Sequence, residues 1–369
     1  MMNKEQRTEN NEQKTFLLTG VHITPAVALT QEIFSRFPDA RVIYIGRKKI
    51  RNGEKPVEEE EITRIGAEFI PISFAKINRF ISISILTEFL KIPGGLIRGL
   101  ILVKRIKPDV VVSFGGYTSI PIILAAKISG VPIIVHEQTL VWGLANRIAR
   151  SLADYSAVSW AKTVDKRSVL TGNPIPREII SAKNKKNHPE ILFITGGSQG
   201  SQTINRLVEP ILPILTKHFF VYHQTGSLDS HSASWRSEMT ESRKMGNYVS
   251  APWFPTPKAA EIFSGSKIVV GRSGANTVTY LSYFGIPSVL IPLPISGGGE
   301  QLANANMLKQ TGLAAVLNQD GLTSAKLLEE ILRINKNYDQ IRESEAEKAG
   351  QLIIPNAAAK LLDLVVKVL

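Results

Sequence analysis

The sequence predicts an α/β fold: two doubly wound, Rossmann-like domains facing a cleft, each built on a parallel sheet. Short apolar runs rich in Val and Ile recur along the 369 residues and alternate with helical patterns. Strands that are apolar on both faces are typical of a parallel sheet covered by helices. The length also exceeds what one hydrophobic core usually organises, which favours two domains.

Ten apolar runs bounded by turn residues predict the central strands. The first sheet takes residues 16–19, 41–45, 110–114, 132–136 and 156–159. The second sheet takes residues 191–195, 219–223, 267–270, 288–291 and 314–317. A Gly- and Pro-containing stretch and a polar run lie between the two sets and predict a hinge near residue 173.

The hinge divides the chain into a first domain over residues 15–172 and a second domain over residues 173–354. Residues 1–14 are polar and mixed in charge, so we expect a disordered lead-in that is not a secretion signal. Residues 355–369 have an amphipathic helical pattern, and we expect this helix to pack back on the first domain.

The composition excludes several kinds of site. The chain has no cysteine, which excludes a disulfide framework, a thiol nucleophile and a thiolate metal site. It also lacks a His-Glu-x-x-His motif and a pair of acids at strand ends, so neither a metal site nor a two-carboxylate hydrolase is predicted. We expect no metal and no cofactor.

Residues 76–107 form a basic, aliphatic segment in a chain of net charge +12. Its seven cations face only Glu88 as a countercharge, and aliphatic side chains lie between them. Docking on an anionic membrane surface is one interpretation, and a pair of core helices with solvated basic faces is the other. Glu88, Lys91 and the Pro-Gly-Gly break at 93–95 make each piece too short to span a bilayer. Nucleic acid is not predicted as a partner, because stacking aromatics do not accompany the cations.

Two turns in the second domain predict anion binding. Residues 196–200, Gly-Gly-Ser-Gln-Gly, follow a strand and precede a helix, where glycines let the backbone approach phosphate oxygens. Residues 271–280 repeat this order of strand, small-residue turn and helix start. The 196–200 turn has neither dinucleotide nor Walker spacing, and a tight strand-to-helix turn without a ligand is the alternative for it. A nucleotide diphosphate is the ligand that these turns favour.

Polar residues also follow three strands of the first domain. His22 lies in the turn after the first strand and could act as a base, because an unperturbed histidine has a pKa of about 6.5. Capping the helix or binding phosphate would explain it equally well. Tyr117 and Glu137 follow two other strands, where packing is the alternative for Tyr117, and a salt bridge or a cap for Glu137.

Seven motifs occur in the order found in the MurG family of bacterial cell-wall glycosyltransferases, and the sequence resembles that family from about residue 16 to residue 322. Together they are more specific than any one of them. The motifs are Phe114-Gly115-Gly116-Tyr117, His136-Glu137-Gln138, Gly143-Leu144-Ala145-Asn146-Arg147, Thr171-Gly172-Asn173-Pro174, Gly196-Gly197-Ser198-Gln199-Gly200 with Asn205, Arg272-Ser273-Gly274-Ala275 with Thr277-Val278, and Glu300-Gln301 with Asn304-Ala305.

The resemblance implies a GT-B arrangement of the two domains and an inverting, metal-independent transfer. The donor would be UDP-N-acetylglucosamine, and the acceptor the 4-hydroxyl of an undecaprenyl-pyrophosphoryl N-acetylmuramyl peptide. The product would be the complete peptidoglycan precursor. The enzyme would be peripheral, on the cytoplasmic side of the cell membrane, which gives the basic segment a purpose and favours membrane docking.

The resemblance also implies roles for individual residues. His22 would be the catalytic base, with Glu137 as the second choice. The acceptor pyrophosphate would be bound by Thr19, Gly20, His22 and Tyr117. The donor would be bound by Gly197, Ser198, Gln199, Asn205, Phe254, Ala275, Asn276, Thr277, Val278, Tyr280, Gln301, Arg177 and Thr139.

The chain departs from the family pattern at four places. The first turn, residues 17–22, lacks the family's glycine pairs, and Tyr280 stands where an acid would bind the ribose hydroxyls. Thr139 replaces an asparagine, and Arg177 is displaced by one position behind Pro176. These departures leave open a relative that uses another UDP-sugar or lipid acceptor, an epimerase of the same architecture, and a non-catalytic nucleotide- or membrane-binding member.

Overall fold

The computed structural model describes residues 13–48, 56–72, 92–183, 190–226, 246–295 and 298–369. The first parallel sheet has the order β3-β2-β1-β4-β5-β6-β7. Its strands are β1 Thr15–Thr19, β2 Arg41–Arg47, β3 Glu68–Ile72, β4 Val110–Ser113, β5 Ile133–Glu137, β6 Tyr155–Val158 and β7 Ser168–Leu170. The helices along this part of the chain are α1 Ile23–Arg36, α2 Val57–Arg64, α3 Ile92–Ile106, α4 Ser119–Ile128 and α5 Leu144–Ala149.

The second parallel sheet has the order β10-β9-β8-β11-β12-β13. Its strands are β8 Ile191–Thr195, β9 Phe220–Gln224, β10 Tyr248–Ala251, β11 Ser266–Gly271, β12 Ser288–Leu290 and β13 Ala314–Val316. The helices after residue 173 are α6 Arg177–Ala182, α7 Gln202–Val208, α8 Leu212–His218, α9 Thr256–Gly265, α10 Ala275–Phe284, α11 Glu300–Gln310, α12 Ser324–Lys336, α13 Tyr338–Gly350 and α14 Ala357–Val366.

The predicted fold class is confirmed, and each of the ten predicted strands is present within two residues of its predicted ends. The sequence prediction missed β3, β7 and β10, which are all edge strands. An edge strand has one neighbour and is less buried than a central strand, so the apolar run that marks a central strand is interrupted. In β3 the pattern is Glu-Phe-Ile-Pro-Ile, with only Ile72 buried.

The order of each sheet reverses at one pair of neighbouring strands, β1 with β4 and β8 with β11. Doubly wound sheets bind ligands at this switch point, beyond the carboxyl ends of the strands. The turn that contains His22 follows β1, and the 196–200 glycine loop follows β8. The His22 turn and the glycine loop, two of the turns that the sequence singled out, therefore each lie at a switch point.

The C-terminal helix α14 packs against the first sheet. Leu361, Leu362 and Val365 are fully buried in one cluster with Phe16 and Leu18 of β1. The segment that leaves the first sheet passes close to the segment before α14. A Cβ added at Gly172 would lie only 2.7 Å from Cβ of Ile354. The outgoing and returning segments thus cross beside each other.

The first two helices contact the second half of the chain through polar groups. Glu61 of α2 is buried and accepts hydrogen bonds from the Thr256 amide (2.9 Å) and hydroxyl (2.7 Å) at the start of α9. Gln31 of α1 donates to Glu178 (2.8 Å), which also accepts from Arg64 (2.9 Å). These bonds fasten the two halves beside the cleft.

Two sequence predictions concern residues that lie partly or wholly outside the described ranges. They are the lead-in, of which only residues 13 and 14 are described, and the basic segment 76–107, of which residues 92–107 are described. Within the described ranges, no helix has the length and apolar character needed to cross a membrane.

Candidate active site

The turn after β1 is held tightly against the turn after β4. Gly20 has a φ of +146°, and a Cβ there would lie 2.9 Å from the Gly115 carbonyl oxygen. The Val21 amide donates to that oxygen (3.0 Å), and the Tyr44 hydroxyl donates to the Gly20 carbonyl (2.9 Å). Glycine at position 20 is therefore required by close packing. The neighbouring glycines of the family pattern are not needed to form this turn.

His22 is half-buried and immediately precedes α1, where its side chain does not cap the helix. Burial lowers the pKa of His22, the nearby Glu137 carboxylate opposes this effect, and the Arg47 guanidinium adds to it. A neutral imidazole at neutral pH can accept a proton. Of the predicted acceptor residues beside it, Thr19 turns its hydroxyl to the Ile45 carbonyl (3.2 Å), and Tyr117 is half-buried.

Glu137 is buried, and its carboxylate accepts four hydrogen bonds. Oε1 accepts from the Thr139 amide (3.0 Å) and hydroxyl (2.8 Å), and Oε2 accepts from the Gly143 amide (3.0 Å) and the Asn146 side chain (2.9 Å). These four donors occupy the lone pairs that a base would use. The geometry thus makes Glu137 an anchor for the 139–146 segment and favours His22 as the base.

His136 connects this site to Gly172 at the predicted hinge, a role that the sequence did not indicate. Its Nδ1 accepts from the Gln138 side chain (3.0 Å), and its Nε2 donates to the Gly172 carbonyl (2.9 Å). Burial is the main cause that lowers the pKa of His136 to about 4, so the ring is neutral. Its position in the His-Glu-Gln motif was the only signal in the sequence.

The glycine loop, residues 196–200, presents Ser198 and Gln199 at its exposed tip. Gly200 has a φ of +80°, and a Cβ there would lie 2.2 Å from the Thr225 carbonyl oxygen. Gly197 has a φ of +83° but faces open space, and its carbonyl accepts from the Gln224 side chain (3.0 Å). One side of the loop is packed on β9, and the other is open to a ligand.

We expect Gly200→Ala to destabilise the fold by about 3 kcal/mol or more, since a left-handed φ and a backbone clash combine at this position. Gly197→Ala is the matched control. It has the same backbone strain without the clash, so it should cost about 1 kcal/mol. Urea unfolding measures both variants. Equal losses would contradict the packing of Gly200 on the Thr225 backbone.

Asn205 lies behind the loop rather than on its open side. Its side-chain amide donates to the Thr225 carbonyl (3.1 Å), and its side-chain oxygen pairs with Nε2 of the buried His223 (3.0 Å). Phe254 is also buried, with its ring 5.8 Å from that of Tyr222. Both predicted donor residues support the end of β9, and sequence spacing did not distinguish this from direct contact.

The start of α10 forms the second part of the candidate donor site. Gly274 precedes the helix with open space around it, while Ala275 and Val278 are buried. Asn276 and Thr277 are half-buried, and Asn276 accepts from the Asn173 side chain (3.0 Å). Thus Asn173, which lies at the predicted hinge, is hydrogen-bonded directly to one of the predicted donor-binding turns.

Gln301 at the start of α11 is bound to the same turn. Its carbonyl accepts from the Ser273 hydroxyl (2.7 Å), and its side-chain oxygen accepts from the Leu293 amide (3.0 Å). The Asn304 side chain donates to the Ser273 carbonyl (3.1 Å). These bonds hold α11, with the predicted donor residue Gln301 at its start, against the 271–275 turn.

Tyr280 is buried in the aromatic core rather than presented at the turn. Its ring meets that of Phe263 edge to face at 5.2 Å. Burial raises the pKa of its phenol, and a side-chain hydrogen bond with Thr24 of α1 opposes this effect. The tyrosine that replaces the expected acid therefore joins α10 to the first helix.

We expect Tyr280→Phe to leave the Kd for UDP within about twofold and to cost about 1 kcal/mol of stability, the value of the bond to Thr24. Tyr283→Phe, which removes a bond from the same helix to the Ile180 carbonyl (3.3 Å), is the matched control. Calorimetry measures the affinity and urea unfolding the stability. A tenfold weaker Kd for Tyr280→Phe alone would show that the phenol contacts the nucleotide.

The two remaining departures have partners inside the protein. Arg177 lies 3.6 Å from the Glu32 carboxylate, and its amide donates to the Gln31 side chain (2.9 Å). Thr139 shares its one hydroxyl hydrogen between the Glu137 carboxylate (2.8 Å) and the Val141 carbonyl (2.6 Å). Arg177 is thus bound to α1, and Thr139 completes the anchor around Glu137.

Models of known protein families match both halves of the chain. Residues 19–158 match the glycosyltransferase family 28 N-terminal domain, and residues 191–361 match the C-terminal domain. A UDP-N-acetylglucosamine--N-acetylmuramyl-(pentapeptide) pyrophosphoryl-undecaprenol N-acetylglucosamine transferase of Desulforudis audaxviator is 31% identical, over 95% of this chain and 96% of the relative. The chain belongs to the MurG family. The Bacillus subtilis protein of the same name is 30% identical over 93% of this chain and 95% of its own length.

Solved structures show how widely the fold is shared. MurG from Acinetobacter baumannii has a TM-score of 0.67 at 24% identity and covers 96% of this chain and 99% of its own. UDP-GlcNAc 2-epimerase from Neisseria meningitidis, bound to UDP-GlcNAc, has a TM-score of 0.66 at 13% identity, covering 96% and 100%. At these identities the likeness concerns the fold alone. Membership of the MurG family rests on the sequence relatives.

Proposed function

We propose that this chain transfers N-acetylglucosamine from UDP-N-acetylglucosamine to the 4-hydroxyl of an undecaprenyl-pyrophosphoryl N-acetylmuramyl peptide. The observation that carries the proposal is the pair of sheet switch points, one with His22 and the other with the glycine loop, in a member of the MurG family. A basic group and an anion-binding loop at the two switch points are what a sugar-nucleotide transfer needs.

The donor occupies the second switch point in this proposal. Backbone amides of the glycine loop, with Ser198 and Gln199 at its exposed tip, bind the diphosphate. The uridine lies at the open start of α10, beside Asn276 and Thr277, and Gln301 binds a sugar hydroxyl. Asn205, Phe254 and Tyr280 support these groups from behind.

The reaction is a single displacement. His22 takes the proton of the muramyl 4-hydroxyl while that oxygen bonds to the anomeric carbon of N-acetylglucosamine. The bond from this carbon to the diphosphate oxygen breaks, and UDP leaves with both bonding electrons. Inversion at the anomeric carbon follows from one displacement. Hydrogen-bond donors around the diphosphate stabilise the charge that develops on it.

Helix α3 is the described part of the segment that we propose to dock on the membrane. Ile97 and Ile101 are 56% and 59% exposed, and Arg98, Lys104 and Arg105 are exposed as well. Spacings of three, four and seven residues place these side chains along one side of the helix. Exposed aliphatics flanked by cations suit an anionic lipid surface, where the acceptor is held. Cosedimentation with anionic vesicles, compared with neutral vesicles, tests this step.

The activity is tested with purified protein, UDP-N-acetylglucosamine and a muramyl lipid acceptor. UDP release that requires the lipid, with the mass of one added N-acetylglucosamine on the acceptor, supports the transferase. Release of UDP or formation of an epimer without lipid would indicate the epimerase that shares this fold. Binding of UDP without turnover on any acceptor would indicate a non-catalytic member.

A further inference from the structure

Arg272 lies at the end of β11 with its guanidinium buried against the segment that follows the glycine loop. It is 8% exposed. Its Nη1 donates to the Ile291 carbonyl (2.9 Å), and its Nη2 donates to the Ser201 hydroxyl (2.8 Å) and the Gln319 side-chain oxygen (2.6 Å). All three acceptors are neutral, and burial lowers the pKa of Arg272.

Two other partly buried arginines have carboxylate partners. Arg47 is paired with Glu58, and Arg64 with Glu61. Arg272 makes no ion pair with any residue that the structure describes. A buried cation without a counterion loses hydration without recovering it from an opposite charge. Its position next to the glycine loop suggests that the missing anion belongs to a ligand.

The other candidate cation for a donor diphosphate has a different partner. Arg177, which the family pattern would direct to the donor, lies beside Glu32 of α1 and is half exposed. The tip of the glycine loop, Ser198 and Gln199, carries no charge. A nucleoside diphosphate bound there would have Arg272 as the buried positive charge behind the loop.

We propose that Arg272 is the positioning residue whose buried charge balances the diphosphate of the bound nucleotide. It acts across Ser201 and the loop backbone, without replacing the loop amides as direct ligands. The three neutral acceptors hold the guanidinium in place and leave its charge available, because none of them is anionic. This inference rests on the proposed donor site and adds the source of its positive charge.

Gln319→Glu is the decisive variant, because it places a carboxylate on Arg272 while leaving the arginine and the loop intact. We expect the Kd for UDP to rise about 10- to 100-fold, the effect of neutralising a unit charge several ångströms from an anion in a partly buried site. The inhibition constant of uridine, measured by displacement of UDP, should change less than about twofold. The new ion pair should leave the melting temperature unchanged or raise it.

Asn318→Asp is the matched control, since it adds the same charge on an exposed neighbour that is not one of the guanidinium's three hydrogen-bond acceptors. It should leave both UDP and uridine binding within about twofold of the parent protein. Arg272→Lys, which keeps the charge, should retain more of the preference for UDP over uridine than Arg272→Gln.

The outcomes separate this inference from the proposed function. If the parent protein binds UDP and Gln319→Glu keeps the parent ratio of UDP to uridine affinity, Arg272 is only structural and the inference is overturned. Equal losses of UDP and uridine affinity would overturn it as well. Failure of the parent protein to bind UDP would overturn the donor site and, with it, the proposed function.

Discussion

His22→Ala should lower kcat by about 100- to 10,000-fold while the Kd for UDP stays within about twofold, the pattern for losing a general base. The imidazole lies in the turn after β1, whereas the glycine loop follows β8, so its removal leaves the donor contacts in place. Single-turnover kinetics with saturating acceptor measures the chemical step. Calorimetry with UDP measures donor binding.

The pH profile gives a second readout of His22. Its neutral form accepts the proton, and burial lowers its pKa below the ordinary value of 6.5. Activity should therefore persist as the pH falls to 6.5 and should decline only below that value. His218→Ala is the control, because His218 is exposed at the end of α8 and should leave both rate and profile unchanged. A His22→Ala rate within about threefold of the parent rate would exclude this histidine as the base.

Glu137→Gln should reduce the free energy of unfolding by about 2–5 kcal/mol, because an amide cannot accept from all four donors around the carboxylate. The amide nitrogen would face a donor, either at Thr139 or at Gly143 and Asn146. Urea unfolding followed by circular dichroism measures the loss. Glu68→Gln is the control, since its pair with Arg41 is exposed and should contribute less than about 1 kcal/mol.

The same variant distinguishes an anchor from a base. If Glu137 only anchors the 139–146 segment, activity and stability should fall together, and the acid limb of the pH profile should remain. If the Glu137→Gln protein kept the parental stability but lost its turnover, the result would contradict a purely structural role and support Glu137 as a catalytic residue. His22→Ala should show the opposite combination, with slow turnover and nearly parental stability.

The sequence was a good guide to the central strands and to the turns that follow them. A central strand of a parallel sheet is buried on both faces, so its apolar run is visible without knowledge of its neighbours. The edge strands β3, β7 and β10 were missed, since their exposure depends on where the sheet stops. Gly20 and Gly200 were recognised as turn glycines, while the backbones that press on them became known only from the fold.

The candidate site was predicted less completely than the fold. Glu137 was singled out because it follows a predicted strand, and the resemblance to the MurG family implied direct roles for Glu137, Asn205 and Tyr280. The structure instead gives their polar groups to partners inside the protein, at Thr139, Thr225 and Thr24. A motif records which residues stand in order along the chain, but the direction of a side chain depends on elements far away in sequence.

Local patterns of apolar residues and glycines were enough to predict the fold class and the turns where we propose that anions bind, because strand burial and turn geometry depend on a few neighbouring residues. These local patterns did not predict the contacts between the two halves of the chain. Glu61 meets Thr256 across 195 positions of sequence, and Arg272 meets Ser201 across 71. Which charges are paired and which remain for a ligand depends on these long-range contacts, and they exist only after both sheets have folded and docked.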